Sequence, residues 1–210
     1  MRRAGLVLVM MVAALVVGGG ATLAAVKFGT DGRDIFIGTN DEDVFYSRGG
    51  SDGLAGRGED DVLYGDAGGD FMFGGSFRFD EIFDGMRMVP DGEDKLFGGS
   101  GNDCMFAGSQ ADVLNGGPGD DEMGFYCYDF IFDNGEDVFY GGSGNDFVWS
   151  WDDDGTPQRD LVYCGSGRDE VLADKLDRLY GCEVVEWFGS RSSDHLRKSG
   201  HKTKHSELRG

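Results

Sequence analysis

The sequence predicts an all-β fold: a solenoid in which short strands and glycine-rich turns alternate every nine residues. Two observations support this prediction. The phrase GGSGND occurs at 98–103 and again at 141–146, and Asp recurs at nine-residue intervals over much of the chain, each time two positions before a large apolar residue. Because a unit of this length buries little surface alone, its copies must stack to form one continuous core.

The repeat unit is a glycine-rich turn that ends in Asp and is followed by a strand. The triplet after each Asp, such as DVF or DVL, predicts a very short strand whose middle residue points inward. The glycines let the turn adopt positive φ angles at little cost. Two units then make one coil, with one strand in each of two facing sheets, and a shortened unit follows at 177–179. The fourteen Asp residues in phase are Asp34, Asp43, Asp52, Asp61, Asp70, Asp80, Asp94, Asp103, Asp112, Asp121, Asp137, Asp146, Asp160 and Asp169.

The composition indicates a folded and strongly acidic body. The 210 residues include 16 Phe and are 40% hydrophobic, which argues against disorder. The formal net charge is −20, although the C-terminal tail is basic. A compact body with this charge repels itself unless cations bind to it. The charge therefore predicts a cation as the partner and argues against nucleic acid.

The turns carry the donor atoms that calcium prefers. A glycine-rich turn points backbone carbonyl oxygens into its own concavity, where the Asp carboxylate joins them. Ca²⁺ takes about six to eight oxygen ligands, whereas zinc and copper favour His and Cys, and all three histidines lie in the C-terminal tail. Without the ion, rows of Asp would face one another along each edge of the solenoid. We therefore expect folding to be coupled to calcium binding.

Several nonapeptides resemble the G-G-x-G-x-D-x-U-x motif of the RTX, or haemolysin-type, calcium-binding repeats. The clearest are GGSGNDCMF (98–106), GGPGDDEMG (116–124), GGSGNDFVW (141–149) and CGSGRDEVL (164–172). The resemblance extends over about 29–180 and implies a parallel β-roll, in which Ca²⁺ lies between loops stacked on the same edge. It does not imply toxicity, because no toxin, protease or lipase domain is attached.

The resemblance also implies a set of ligands, made of the Asp at the sixth position of each unit and the backbone oxygens of the glycine-rich loops. Asp80, in GGSFRFD, is expected to bind poorly. The carboxylate candidates are Asp34, Asp43, Asp52, Asp61, Asp70, Asp94, Asp103, Asp112, Asp121, Asp137, Asp146, Asp160 and Asp169. The backbone candidates are Gly98, Gly99, Gly101, Gly116, Gly117, Gly119, Gly141, Gly142 and Gly144.

Breaks in the nine-residue period predict that the two edges differ. If successive loops alternate between the edges, the three insertions bulge from one edge, and they lie around 84–92, 125–135 and 150–158. The four cleanest loops then stack on the opposite edge, at 98–103, 116–121, 141–146 and 164–169. We expect three calcium sites between those four loops. The aromatic insertion at 125–135 either binds a partner or folds back over the sheet.

The two ends predict export and a solvated tail. Arg2 and Arg3 precede an apolar run and a small-residue cleavage site near Ala21 or Ala24, which is the anatomy of a secretory signal peptide at 1–24. An uncleaved segment would instead anchor the chain in a membrane. The β-roll and its C-terminal cap follow at 27–188, and 189–210 form a basic disordered tail. The predicted localisation is secreted or extracellular, possibly at a cell surface.

The four Cys of a secreted chain suggest two disulfide bonds. We expect Cys164 to pair with Cys182, which would close a loop of about 18 residues. Cys104 would then pair with Cys127, close to the insertion at 125–135, although four Cys allow three connectivities.

No catalytic motif in the sequence has the context that its chemistry requires. GGSDG at 49–53 matches G-x-S-x-G, but Ser51 lies inside a phased repeat rather than at a strand-to-helix turn. We therefore predict a calcium-binding protein without enzymatic activity. The alternative is an extracellular adhesin or interaction module, which would bind a surface, a glycan or a protein through the insertion edge or a flat sheet face.

Overall fold

The computed structural model describes residues 24–75, 92–124, 135–151 and 158–187. Within these ranges the chain forms sixteen short β-strands and no helix. The strands are β1 (Val26–Phe28), β2 (Ile35–Ile37), β3 (Val44–Tyr46), β4 (Gly53–Ala55), β5 (Val62–Tyr64), β6 (Phe71–Phe73), β7 (Lys95–Phe97), β8 (Cys104–Phe106), β9 (Val113–Pro118), β10 (Glu122–Met123), β11 (Val138–Ser143), β12 (Phe147–Ser150), β13 (Leu161–Ser166), β14 (Glu170–Ala173), β15 (Arg178–Tyr180) and β16 (Val184–Trp187).

These strands form two parallel sheets of eight strands each. The odd sheet has the order β1-β3-β5-β7-β9-β11-β13-β15, and the even sheet has the order β16-β14-β12-β10-β8-β6-β4-β2. Consecutive strands thus alternate between the sheets, so that two strands and two loops make one coil. All the pairings are parallel, for example Val44 with Val62 in the odd sheet and Met105 with Met123 in the even sheet. The predicted all-β parallel β-roll is confirmed.

The core is a single layer of side chains between the two sheets. Each is the middle residue of a triplet that follows an Asp, as the repeat predicts. The fully buried residues are Phe45, Leu63, Leu96, Leu114, Phe139 and Val162 from the odd sheet, and Leu54, Met72, Met105, Met123, Val148 and Val171 from the even sheet. One coil contributes only two such residues, so stability comes from stacking the coils.

The loops separate into two edges, as predicted. The regular edge consists of the six-residue loops that lead from the odd to the even sheet: 29–34, 47–52, 65–70, 98–103, 116–121, 141–146 and 164–169. The insertion edge consists of the loops that lead back: 38–43, 56–61, 74–94, 107–112, 124–137, 151–160 and 174–177. All three insertions fall on the insertion edge, although most of their residues lie outside the described part of the chain.

The unit counted at Asp80 is the one break in the predicted alternation. β6 pairs with β8, and β5 pairs with β7, so the described strands keep alternating between the sheets from β6 to β7. With Asp80 counted as a unit, the alternation predicts that the loops before Asp34, Asp52 and Asp70 lie on the insertion edge and those before Asp43 and Asp61 on the other. This part of the prediction is wrong, because the strand order places each of these five loops on the opposite edge. Asp80 itself lies outside the described residues. The strand pairing, and not the spacing around Asp80, thus determines on which edge each early loop lies.

The predicted disulfide between Cys164 and Cys182 is present, with a Cα–Cα distance of 5.2 Å. It ties the last loop of the regular edge to the turn before β16. Cys104 is not a free thiol, and its predicted partner, Cys127, lies outside the described residues. The predicted signal segment, apart from Ala24, and the predicted basic tail also lie outside them. Across the described ranges, no helix is long and apolar enough to cross a membrane.

Candidate metal centre

Every coil is joined to the next through an Asp at the end of the loop. On the regular edge, the backbone N–H of each such Asp donates to Oδ1 of the corresponding Asp one coil later, at 2.7–3.0 Å. This ladder consists of Asp34, Asp52, Asp70, Asp103, Asp121, Asp146 and Asp169. The N–H of Asp169 donates to Oε2 of Glu183 at 2.9 Å, so a glutamate ends the ladder.

The insertion edge carries a second ladder of the same kind. It consists of Asp43, Asp61, Asp94, Asp112, Asp137, Asp160 and Asp177. All thirteen predicted carboxylate ligands therefore lie on one of two rows, one along each edge. The sequence anticipated Asp177 as a shortened unit but missed Glu183. Its signal was present, because Glu183 precedes Val185 by two positions, in the spacing that each Asp has to its core residue.

In the interior of the regular edge, the second carboxylate oxygen of each Asp, Oδ2, lacks a hydrogen-bond donor among the described residues. Six Asp residues there are at most 3% exposed. Their Oδ2 atoms are buried and accept no hydrogen bond within the described part of the chain. These residues are Asp52, Asp70, Asp103, Asp121, Asp146 and Asp169. Burying a carboxylate oxygen without a hydrogen-bond donor costs free energy, so a row of six such oxygens favours the binding of a cation.

In four of these loops the first residue is glycine and leaves a space beside that oxygen; they are 65–70, 98–103, 116–121 and 141–146. The loops 47–52 and 164–169 begin with Ser47 and Cys164 instead. A Cβ at Gly65 would lie 2.5 Å from both Oδ2 of Asp70 and the carbonyl oxygen of Gly98 in the next coil. A Cβ at Gly116 would meet Oδ2 of Asp121 and would lie 2.8 Å from the carbonyl oxygen of Gly141. Any side chain would therefore fill a cradle that is lined by oxygen atoms of two successive loops.

The second and fourth positions of the loops have the positive φ angles that the sequence predicts. Gly101 has a φ of 136°, and a Cβ there would collide with the carbonyl oxygen of Gly68 in the preceding coil. Earlier loops place other residues at such positions, among them Arg48 with a φ of 75° and Asp66 with a φ of 64°. Side chains with a Cβ are strained in this conformation, so these early loops are less regular than the four clean ones.

Burial raises the pKa of five carboxylates on the regular edge. Burial, together with the neighbouring carboxylates of Asp103 and Asp52, raises the pKa of Asp70 to about 7. Burial likewise raises the pKa of Asp121 to about 7 and that of Asp146 to about 6. The pKa values of Asp103 and Asp169 are also raised, with burial as the main cause. Desolvation and like charges both favour the protonated form, and a bound cation would reverse that preference.

The donor set suits a hard cation bound largely by backbone oxygens. Among the described residues, no three His, Cys, Asp or Glu side chains converge on one point. Each cradle instead combines one carboxylate oxygen with carbonyl oxygens, which is the chemistry of Ca²⁺ rather than of Zn²⁺. The predicted ligands are thus brought together pairwise, between one loop and the next on the same edge, and not in a single centre.

Sequence comparison supports this chemistry. Four copies of the RTX calcium-binding nonapeptide repeat match the chain, at 28–63, 52–78, 91–123 and 133–157. Together they cover more than half of the chain and most of the loops on the regular edge. No curated protein matches the sequence. With its two parallel sheets, its Asp ladders and these four matches, the chain belongs to the family of RTX calcium-binding nonapeptide-repeat proteins.

Proposed function

We propose that this protein is a secreted calcium-binding β-roll without enzymatic activity, and that its folding is coupled to the binding of several Ca²⁺ ions. The observation that carries the proposal is the row of six buried Oδ2 atoms without a donor on the regular edge. Membership of a calcium-binding repeat family names the cation. We base the proposal of export on the N-terminal sequence alone. We base the proposal that the protein has no enzymatic activity on the repeats that make up its described residues.

The residues of the regular edge would hold the ions in a fixed geometry. Oδ1 of each Asp accepts a backbone N–H from the preceding coil, for example at 2.9 Å between Asp103 and Asp121. This bond orients the carboxylate, so that Oδ2 is directed toward the cradle of its own loop. The first glycine keeps the cradle open, and the next loop contributes its carbonyl oxygen. Bound calcium would supply the positive charge that these oxygens lack.

The proposed sites lie between successive loops of the regular edge. Three lie between the four clean loops, with Asp103, Asp121 and Asp146 as the side-chain ligands. Asp169 orients the last of these loops, because its Oδ1 accepts the N–H of Asp146, but its own loop begins with the disulfide-bonded Cys164 instead of glycine. The cradle at Gly65 has the same pair of oxygens, which adds Asp70 and a fourth site between 65–70 and 98–103. Asp52, in the loop SRGGSD, would contribute a weaker one, because Arg48 occupies the strained second position of that loop.

Calcium titration of chelated protein, followed by circular dichroism, tests the proposal. We expect strand signal to appear with Ca²⁺ but not with equal Mg²⁺, because Mg²⁺ needs a stricter octahedral site. The matched variants are Asp121→Asn and Asp120→Asn, which remove the same charge from a buried and an exposed neighbour. Only the first should raise the calcium midpoint, by about tenfold or more. Full strand signal in chelator would refute the coupled folding.

A second candidate function is favoured by the outer face of the odd sheet. Its outward positions carry no carboxylate in the described strands, although the chain has 39 Asp and Glu. Aromatic rings stack there with centroids 4.8–5.1 Å apart, and they are Phe28, Tyr46, Tyr64 and Phe97 in one run and Tyr140, Tyr163 and Tyr180 in another. An exposed apolar face of this kind is typical of an interaction surface.

As an extracellular interaction module, the protein would present this face to a flat, uncharged surface such as a neutral polysaccharide. The insertion at 125–135, which the sequence offers as the other partner site, lies almost wholly outside the described residues. Co-sedimentation of the calcium-loaded chain with an insoluble neutral polysaccharide is the test. The double variant Tyr140→Ser and Tyr163→Ser should lose binding while its calcium midpoint stays unchanged. Equal retention of the variant would remove this candidate.

A further inference from the structure

The first coil, residues 25–43, differs from all later ones at the second position of its loops. Thr30 and Thr39 stand there, where the clean loops have glycine. The backbone N–H of Thr30 donates to Oδ2 of Asp34 at 2.6 Å, and its Oγ1 contributes a second bond at 3.0 Å. The N–H of Thr39 donates to Oδ2 of Asp43 at 2.6 Å. Both carboxylates of this coil therefore have protein donors on Oδ2, the oxygen that accepts no hydrogen bond in the described interior loops of the regular edge.

In later coils the same N–H points elsewhere. The N–H of Gly99 donates to the carbonyl oxygen of Gly116 in the next coil at 2.9 Å, and that of Arg57 donates to Gly74 at 2.7 Å. These bonds join neighbouring coils and leave the carboxylate of their own loop without that donor. The backbone of the first coil has turned inward, and a protein N–H occupies the position on Oδ2 that a cation would take.

Asp43 and Asp52 show the consequence in two successive coils. Both are buried, at 0% and 3% exposure. Oδ1 of Asp43 accepts the N–H of Ala25 at 2.6 Å while Oδ2 accepts that of Thr39, so each oxygen has a donor. Oδ1 of Asp52 accepts the N–H of Asp34, but its Oδ2 accepts none within the described residues. Burial alone therefore does not determine which carboxylate needs an ion.

Lys27 is a second and independent peculiarity of this coil. It pairs with Phe45 in the register of the odd sheet, at the position where the following coils place a buried apolar residue. Its Nζ lies 4.8 Å from the centre of the Phe45 ring and donates to the carbonyl oxygen of Ile37. A lysine can cover apolar surface with its stem while its charge stays at the boundary. An inward charge on an end strand also opposes the addition of further strands.

We propose that the first coil is a calcium-independent N-terminal cap, in which the N–H groups of Thr30 and Thr39 replace the ion and Lys27 closes the core. The proposal rests on the calcium function proposed for the interior loops. It removes Asp34 and Asp43 from the ligands that the sequence predicts. The roll would thus begin on a coil whose carboxylates are satisfied by protein alone, and calcium would be needed only from the second coil onward.

Counting bound ions by native mass spectrometry tests the cap, on the full chain with its disulfide intact and in excess Ca²⁺. The variants are Asp34→Asn and Asp43→Asn, with Asp121→Asn as the matched interior change. We expect both first-coil variants to carry as many ions as the unchanged chain, and Asp121→Asn to carry at least one fewer. Loss of an ion from either first-coil variant would overturn the cap.

The outcomes separate the cap from the function on which it rests. If Asp121→Asn also kept every ion, the interior assignment would fail, whatever the first-coil variants did. Asp43 is fully buried, so its variant could lose the fold. Asp34 lies at the open end and is only half-buried, which makes Asp34→Asn the variant that keeps the test decisive. Its calcium midpoint should stay within about twofold of the unchanged chain, because no ligand is lost.

Discussion

The two edges of the roll carry the same ladder of Asp hydrogen bonds, yet they differ in loop length. The seven loops of the regular edge from 29–34 to 164–169 have six residues each, whereas the insertion edge includes loops as long as 74–94. The ladder therefore tolerates insertions between its rungs. We expect calcium binding to depend more strongly on regular loop length, because each cradle takes oxygens from two successive turns.

The largest expected effect comes from adding a Cβ at the centre of the regular edge. Gly101→Ala would put a methyl group against the carbonyl oxygen of Gly68 and force Ala to a φ of 136°. We expect a loss of at least about 3 kcal/mol in the free energy of unfolding of the calcium-loaded protein. Thermal unfolding in excess Ca²⁺ measures it.

Gly53→Ala is the matched control, because a Cβ at Gly53 meets no atom within 4 Å. Its free energy of unfolding should change by less than about 0.5 kcal/mol. Equal losses from the two variants would show that the close stacking of loops on the regular edge does not limit stability.

A smaller effect, on the calcium midpoint, is expected from shortening a loop of the insertion edge or lengthening a loop of the regular edge. Deleting 126–133 from the insertion edge leaves a loop of six residues, like 56–61, and should keep the calcium midpoint within about twofold of the control. Inserting the same eight residues after Pro118 in the regular edge should raise it by about tenfold or more, because the cradle at Gly116 loses its facing loop. Because the deletion removes Cys127, both variants and the control carry Cys104→Ser. A deletion as damaging as the insertion would make the edges equivalent.

The smallest expected effect is a dependence on pH. The stability of the calcium-free protein and its affinity for calcium should change in opposite directions as the pH rises. Without calcium, the raised pKa of Asp70 and Asp121, about 7, means that the folded state binds more protons than the unfolded chain, whose Asp pKa is about 3.9. Stability of the calcium-free protein should therefore be highest below about pH 4 and fall as the pH rises through about 7. Calcium affinity should rise over the same range, because the ligands must lose their protons.

Circular dichroism in chelator at about pH 5 and about pH 8, with a calcium titration at each pH, measures both trends, and a partial strand signal in chelator is expected at the lower pH only. The variant Asp70→Asn should weaken the pH dependence in chelator, since it removes one of the perturbed groups. If the calcium-free protein became more stable as the pH rose, the buried carboxylates of the regular edge would not be the groups that oppose folding.

The local features of this protein are encoded by spacing along the chain. Asp followed two residues later by an apolar residue was enough to predict the strands, the core positions and the alternation of loops, since each depends on residues within one unit. The same reasoning predicted the shared edge of Asp103 and Asp121 and the bond between Cys164 and Cys182, both of which the structure confirms.

Other features were decided only when the coils paired. The hydrogen bonds between coils join residues 14 to 34 positions apart, so the sequence alone could not show that β6 and β7 follow each other on opposite sheets, or that Glu183 ends a ladder. Nor could it show that the N–H of Thr30 turns inward while that of Gly99 bonds to the next coil. The repeat determines which carboxylates face the edges, because that is set by the backbone period. Tertiary stacking determines which of them find a protein donor and which need an ion, because donor and acceptor belong to different coils.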